Sequence, residues 1–472
     1  MHNGTDSLQQ AEALLATHAY GSPEFERGLT LLQQAAEAGS PPAQLSLGDV
    51  YSQMHQLPDA ARQAAAWYAR AAGHGEARAL VRLADLYMTG WGVAQDDGQA
   101  FQLYRRLAER GYALPQCNLA YMLGEGIGCR LDPSQALGWY LRAAAQGEPR
   151  AYFNLGLAFQ QGSGTPPDPL HAWAWMENAR REGYPGTEAE LAQMAGALSP
   201  QHAAQAQALA ADIDCNFQQL QFALQRDPEL LGSAERYRAA VEQNFAALGV
   251  PALSLDAAQR PGAPGPGAPH ASLVPLRISE HPHVFTVDEF VSRGECAHLM
   301  TLADRNFRPA QELTADRLSQ ENRHFTGSMA ALQLDLCDPV VRAVERRVGA
   351  AFGLPASHVE PLSVLRYRGG NSYAPHVDYF DAARLQENLS KGDRAGQRVA
   401  SFLVYLQPAQ AGGETHYLTL EKKVQGRERM ALCHFNCLPS GEPDPATLHT
   451  GEPVQQGEKW LARTTVRERP FY

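Results

Sequence analysis

The sequence predicts two folds in series: an all-α solenoid of helical repeats, then an α+β domain whose strands form a sheet sandwich or jelly roll backed by helices. Three observations predict this. A 36-residue period runs through the first half, a proline- and glycine-rich stretch follows, and beyond it helical spacing gives way to short runs rich in Val, Leu, Tyr and Phe. At 472 residues the chain is longer than one ordinary core organises, so several domains are expected on length alone.

Many positions carry the period at once. Trp67-Tyr68, Leu103-Tyr104, Trp139-Tyr140 and Trp175-Met176 recur every 36 residues, as do Gly39, Gly75, Gly111, Gly147 and Gly183, and the loops Gly90-Trp91-Gly92, Gly126-Ile127-Gly128 and Gly162-Ser163-Gly164. Each unit reads as two helices, with Leu, Ala and aromatic residues at helical spacing and a glycine stopping the second helix. One such pair cannot bury its apolar stripe, so the units must stack on their nearest neighbours. The pattern resembles the Sel1-like repeats, relatives of the tetratricopeptide repeats, over residues 24 to 186. That resemblance implies a surface that captures a protein or peptide target. The first unit departs from it, with Met54 and Gln56 where later units carry the loop glycines, as an amino-terminal cap would. Trp67, Trp139 and Trp175 are expected in the core.

After residue 186 the helical pattern continues without the Trp-Tyr register, and Ser199-Pro200 looks like the start of a long helix. Between Arg260 and His270, Pro261, Pro264, Pro266 and Pro269 alternate with glycines. Proline removes backbone donors and glycine raises the entropy cost of ordering, so this stretch reads as a linker. The expected division is therefore a repeat array at 1–186, a helical cap at 187–250, a linker at 251–273 and a second domain at 274–472.

Composition narrows the function classes. A formal charge of −11 without a Lys/Arg cluster excludes nucleic acid as the main partner, since phosphate binding needs a basic surface. The start of the chain has neither a basic segment nor an unbroken apolar run, so no signal peptide is expected. No stretch approaches the roughly 18 apolar residues of a membrane span. Seven cysteines, an odd number without C-x-x-C, read as reduced thiols of a cytoplasmic protein. Cys433 and Cys437 lack the second pair a zinc site needs and are expected to be buried.

The second half mixes both element types. Residues 284–304 read as a short strand leading into an amphipathic helix, and 338–354 as a second helix closed by Gly353. Strands are expected in SVLRYRG, RVASFLVYLQ, MALCHFNC and WLARTTVRE. Helices followed by several strands suggest sheets backed by helices.

Its chemistry starts at Tyr367–Asp378, reading YRGGNSYAPHVD. In an extended strand, side chains two apart share a face, so His376 and Asp378 offer an imidazole nitrogen and a carboxylate oxygen to one metal ion. Two histidines and one carboxylate would form the facial triad of a non-haem ferrous site, with its opposite face open. The third ligand must come from a strand folded across the barrel, hence distant in sequence. His416, His434 and His449 are the candidates; His434 lies in an apolar strand, where a packed core histidine is expected. His449 is preferred because Lys459 follows ten residues later. That spacing is expected to place the lysine on the strand next to His449, where it would pair with the remote carboxylate of a dicarboxylate co-substrate.

Residues 282–472 resemble the catalytic domain of the prolyl 4-hydroxylase branch of the 2-oxoglutarate and Fe(II)-dependent dioxygenases, through FVSRGECAHLM, DPVVRAVERRVGAAFGLP, VLRYRGGNSYAPHVDYF, FLVYLQPAQAGGETHY and LHTGEPVQQGEKW in family order. The resemblance implies a double-stranded β-helix (jelly-roll) fold, Fe(II) held by His376, Asp378 and His449, and 2-oxoglutarate held by Lys459, with Tyr367 and Thr415 lining its pocket. O2 would be the second co-substrate and ascorbate the reductant. The implied activity is hydroxylation of a peptidyl or protein side chain, proline foremost, with the repeats recruiting the target. Hydroxylation of a free amino acid or small metabolite, or a non-catalytic scaffold that senses iron and 2-oxoglutarate, stand as alternatives. The family's Arg-Thr-Ser motif is matched only loosely by RHFTGS at 323–328, and Thr465 stands where the family often has tryptophan. Arg366 and Asn371 flank the strand entering the site and are candidates to orient substrate.

Overall fold

The computed structural model describes residues 3–18, 21–54, 59–226, 274–309, 325–332, 338–390 and 393–470. The proline- and glycine-rich stretch, the end of the expected helical cap and Arg323-His324 of RHFTGS lie outside the described residues.

The first half is a stack of helix pairs: α1 (Asn3–Thr17) with α2 (Pro23–Glu37), α3 (Pro41–Gln53) with α4 (Ala60–Gly73), α5 (Ala77–Thr89) with α6 (Asp97–Glu109), α7 (Ala113–Glu125) with α8 (Pro133–Ala144), and α9 (Pro149–Gln161) with α10 (Pro169–Arg181). α11 (Thr187–Ala195) and α12 (Pro200–Arg226) close the row against α10. The stack thus opens one helix earlier than residue 24, with α1 completing the pair that α2 begins to show. Leu31-Leu32 stand there at the Trp-Tyr position, so the tryptophan signal was lost.

The recurring sequence features have local causes. Asp96, Asp132 and Asp168 accept first-turn N–H groups of α6, α8 and α10, satisfying donors that a helix start leaves open. A Cβ at Gly92, Gly128 or Gly164 would lie 2.2, 2.0 or 2.3 Å from a carbonyl oxygen of the preceding unit, so this loop glycine sets how closely units approach. Trp139 and Trp175 are buried, while Trp67 is partly covered, with the Arg70 guanidinium over its ring.

The second half is antiparallel. Its elements in order are β1 (Leu276–Ser279), β2 (Val284–Val287), α13 (Arg293–Asp304), β3 (Arg308–Pro309), β4 (Ser328–Ala331), α14 (Pro339–Ala351), β5 (Ser363–Tyr367), β6 (Tyr373–His376), α15 (Ala382–Ser390), β7 (Arg398–Gln407), β8 (Ala411–Gly412), β9 (Thr415–Tyr417), β10 (Lys422–Val424), β11 (Ala431–Phe435), β12 (His449–Gly451), β13 (Val454–Gln456) and β14 (Lys459–Arg467). An eight-stranded sheet runs β1-β2-β11-β7-β14-β5-β4-β3, a four-stranded sheet runs β10-β9-β12-β6, and β13 pairs with β8. This is the jelly roll, with α13 and α14 packed on one side of the larger sheet.

The two halves dock. α14 packs on α5 and α7, and α13 on α9, so the first helices of three successive repeats face the second domain. Asp85, Tyr121 and Leu157 hold one position in those repeats, 36 residues apart. Asp85 accepts from Arg342 at 2.7 Å, Tyr121 donates to Glu295 at 2.6 Å, and Leu157 lies with Asn154 over Gly294. Arg346 pairs with Asp97 and Arg293 with Glu190. Arg150, from α9, is wholly buried near Asp338, which caps α14 and bonds His298 at 2.8 Å. Burial alone would raise Asp338; His298 and Arg150 outweigh it and hold the carboxyl well below its ordinary range. A cavity of about 160 Å³ remains at this junction, lined by Tyr121, Glu125, Arg150, Asn154, Arg293 and Glu295 among others.

Candidate active site

Strand register brings the two histidines together. His449 on β12 is the cross-strand partner of His376 on β6, which sets their side chains close on one face. Their ring centroids are 4.3 Å apart. The third ligand thus comes from the adjoining strand of the same four-stranded sheet, not from across the barrel. Asp378, two residues beyond His376, completes a group whose donor atoms all lie within 4.8 Å of one another. Tyr373 stacks on the His376 ring at 3.8 Å.

The protonation pattern suits a metal. His376 Nδ1 donates to the Ala374 carbonyl and His449 Nδ1 to the Thr447 carbonyl, each at 2.9 Å, so each Nε2 carries its lone pair toward Asp378. Burial lowers the pKa of both imidazoles, the neighbouring histidines adding to it at His449, which favours the neutral, ligating form. Asp378 is 3% exposed. Burial would raise its pKa, but the Arg463 guanidinium, 3.1 Å from Oδ1, overrides burial together with His434 and holds it well below the usual carboxylate range. Its Oδ2 is buried without a hydrogen-bond partner. Two imidazole lone pairs and one ionised carboxylate, with an oxygen left orphaned, fit the two-histidine, one-carboxylate donor set of non-haem iron.

Lys459 sits elsewhere than its spacing suggested. β14 belongs to the eight-stranded sheet, where Lys459 faces Tyr367 of β5, whereas His449 is in the four-stranded sheet. The lysine connects to the triad's sheet through Tyr367, whose ring edge would lie 3.6 Å from a Cβ at Gly451 of β12. Its ammonium, 1% exposed, donates to the Gly413 carbonyl at 2.8 Å and lies 4.6 Å from the Tyr367 ring centre and 5.4 Å from that of Tyr405. Among the described residues it forms no ion pair. Desolvation brings its pKa down to about 8, with Glu414 opposing the shift. Tyr367 is buried against Phe325, and Thr415 shares a 2.8 Å hydrogen bond with Tyr405 and stands opposite Gly451 of β12.

Other candidates go to structural work. His416 pairs with Glu452 at 2.7 Å, away from the triad. The Arg366 guanidinium covers Phe307 and Trp460 and pairs with Asp304. Asn371 closes a turn, accepting from Arg368 N–H and donating to the Thr326 carbonyl. Cys433 is buried, as expected, and Cys437 partly so. Sequence reasoning missed Arg463. Lys459, Leu461 and Arg463 alternate along β14, so one parity rule on a strand already assigned would have put both cations on one face.

Residues 362–466 match the 2OG-Fe(II) oxygenase superfamily, and five segments within 9–184 match the Sel1 repeat. Probable prolyl 4-hydroxylase 4 of Arabidopsis thaliana is 31% identical over 218 residues, covering 41% of this chain and 70% of the relative. Prolyl 4-hydroxylase 2 of the same plant is 30% identical over 216 residues, covering 41% and 70%. A Sel1 repeat protein from Oxalobacter formigenes, a solved structure, shares 29% identity over 40% of this chain and 75% of its own, with a TM-score of 0.35. Among the described residues no helix is long and apolar enough to cross a membrane. The chain belongs to the prolyl 4-hydroxylase-like 2-oxoglutarate and Fe(II)-dependent oxygenases, with Sel1 repeats as its amino-terminal half.

Proposed function

We propose that the chain hydroxylates a prolyl residue of a peptide or protein, with His376, Asp378 and His449 holding Fe(II) and Lys459 holding the distal carboxylate of 2-oxoglutarate. The observation that carries this reading is a buried ammonium that forms no ion pair among the described residues, on the strand whose Arg463 bonds the carboxylate of the two-histidine, one-carboxylate cluster. An unpaired buried charge costs several kcal/mol, so the pocket favours an anion at Lys459. Arg463, four residues along the same strand and bonded to Asp378, ties that anion site to the cluster. When bound, iron supplies the activation of O2 at the expense of 2-oxoglutarate, with ascorbate as the reductant that keeps it ferrous.

The chain's own residues do the positioning. Backbone carbonyls at Ala374 and Thr447 fix the tautomers of His376 and His449. Tyr367 and Thr415, with the Tyr405 hydroxyl, line the co-substrate pocket and keep it dry. Target recruitment falls to the repeat surfaces left uncovered, because the α5, α7 and α9 face is occupied by the second domain. The test is incubation with proline-containing peptides, iron and 2-oxoglutarate. Succinate release with a gain of one oxygen on proline is expected, both lost in His376→Ala. Binding of both cofactors with no turnover on any prolyl peptide would refute the assignment.

A further inference from the structure

His434 reads from sequence as a core histidine, and it is wholly buried, on β11 of the larger sheet. Its surroundings are not those of a packed core residue. The ring lies edge-on to His449, 4.9 Å between centroids, and edge-on to Tyr417 at 5.6 Å. Nδ1 is 2.9 Å from the Tyr417 hydroxyl. Nε2 is 3.4 Å from Asp378 Oδ2, and these two atoms are both buried without a hydrogen-bond partner.

A neutral imidazole carries one donor and one acceptor, and its partner decides which nitrogen is which. A lone pair on Nε2 would face the ionised Asp378 carboxylate across 3.4 Å, so the ring proton belongs on Nε2 and Nδ1 accepts from the Tyr417 hydroxyl. Nε2 is also the ring nitrogen beside the one oxygen of Asp378 that Arg463 does not hold. We propose that His434, set by Tyr417, is a positioning residue that donates to Asp378 Oδ2 and fixes the carboxylate's orientation for the metal. Asp378 lies just past the end of β6, and nothing in a strand ladder fixes its rotation. Arg463 on Oδ1 and His434 on Oδ2, both from the larger sheet, would supply that restraint. The same tautomer keeps His434 from being a fourth ligand, since Nε2–H has no lone pair to give, and so preserves the open face that the triad requires.

This inference rests on the reading that His376, Asp378 and His449 hold iron, and the test separates the two. Fe(II) affinity is measured by anaerobic equilibrium dialysis on the full chain, without substrate, alongside thermal melting. His434→Phe, which keeps an aromatic ring but no donor, is expected to weaken Fe(II) roughly 10- to 100-fold, as loss of an outer hydrogen bond to a ligand does. His434→Gln, whose amide nitrogen can reach the same oxygen, is expected to restore most of that affinity. Tyr417→Phe removes only the hydroxyl and is expected to give a smaller loss, which keeps the test intact where His434→Phe folds poorly. Unchanged affinity in both Phe variants, or a Gln variant as weak as Phe, overturns the proposal. A wild-type chain that retains no Fe(II) would instead remove the triad reading beneath it.

Discussion

The domain junction and the oxygenase pocket both bury charge, and they do so in opposite ways. At the junction, buried charges are answered from within the chain: Arg342 holds Asp85 and Glu345, Arg347 holds Glu295, and His298 holds Asp338. Among the described residues, Lys459 has instead a carbonyl and two aromatic faces. The difference teaches how to tell architecture from binding. Buried ions that complete one another hold the fold, and a buried ion left incomplete marks where a ligand enters.

The sharpest way to break that comparison is Arg342→Ala. It strips two carboxylates of a buried partner at once and is expected to cost about 3–5 kcal/mol. Urea unfolding of the whole chain is the measurement, and an unmoved midpoint would mean that the junction pairs are idle. Next comes Lys459→Ala, expected to raise the 2-oxoglutarate requirement about 100-fold, equivalent to about 2.7 kcal/mol, while Fe(II) still binds. The same contrast has a pH signature. With its pKa near 8, Lys459 loses its proton as pH rises through that value, so co-substrate affinity should fall on the alkaline side.

The smallest effect sharpens the junction side. Burial pushes Glu125 up from 4.5 to about 7, with Glu295 adding to it and Arg347 opposing. Between those two values the folded chain keeps a proton that the unfolded chain has lost, so stability falls as pH rises from 4.5 to 7 and is level above. Glu125→Gln should remove that slope and stabilise the chain at pH 8 by about 1 kcal/mol, allowing for solvent screening of a partly covered group. Melting temperatures at pH 5 and pH 8 would decide it; parallel shifts in both proteins would rule Glu125 out as the source.

The repeats were legible because a solenoid writes the same contacts many times, and Gly92, Gly128 and Gly164 state one steric demand in triplicate. Four long strands of the larger sheet were legible too, since burial on both faces leaves continuous apolar runs such as RVASFLVYLQ. The smaller sheet was not, because strands like Thr415–Tyr417 and His449–Gly451 are too short to show alternation. That loss hid the pairing that sets His449 opposite His376 and misplaced Lys459 by one sheet. The docking was invisible for another reason. Asp85 and Arg342 each look like part of a solvated helix face until the partner helix is known, and their separation in sequence gives no hint of it. His434 was legible as a buried histidine, whereas an apolar strand does not reveal what the buried ring points at.

Because Asp85, Tyr121 and Leu157 each engage the oxygenase from one position in successive repeats, copy number is pinned where they stand. Gaining or losing a unit between α5 and α10 would slide every later contact out of step with α13 and α14. Units added ahead of α5 would disturb none of these partners. Length variation in chains of this design should therefore accumulate at the leading end of the array, and a comparison of related chains with different repeat numbers would reveal whether it does.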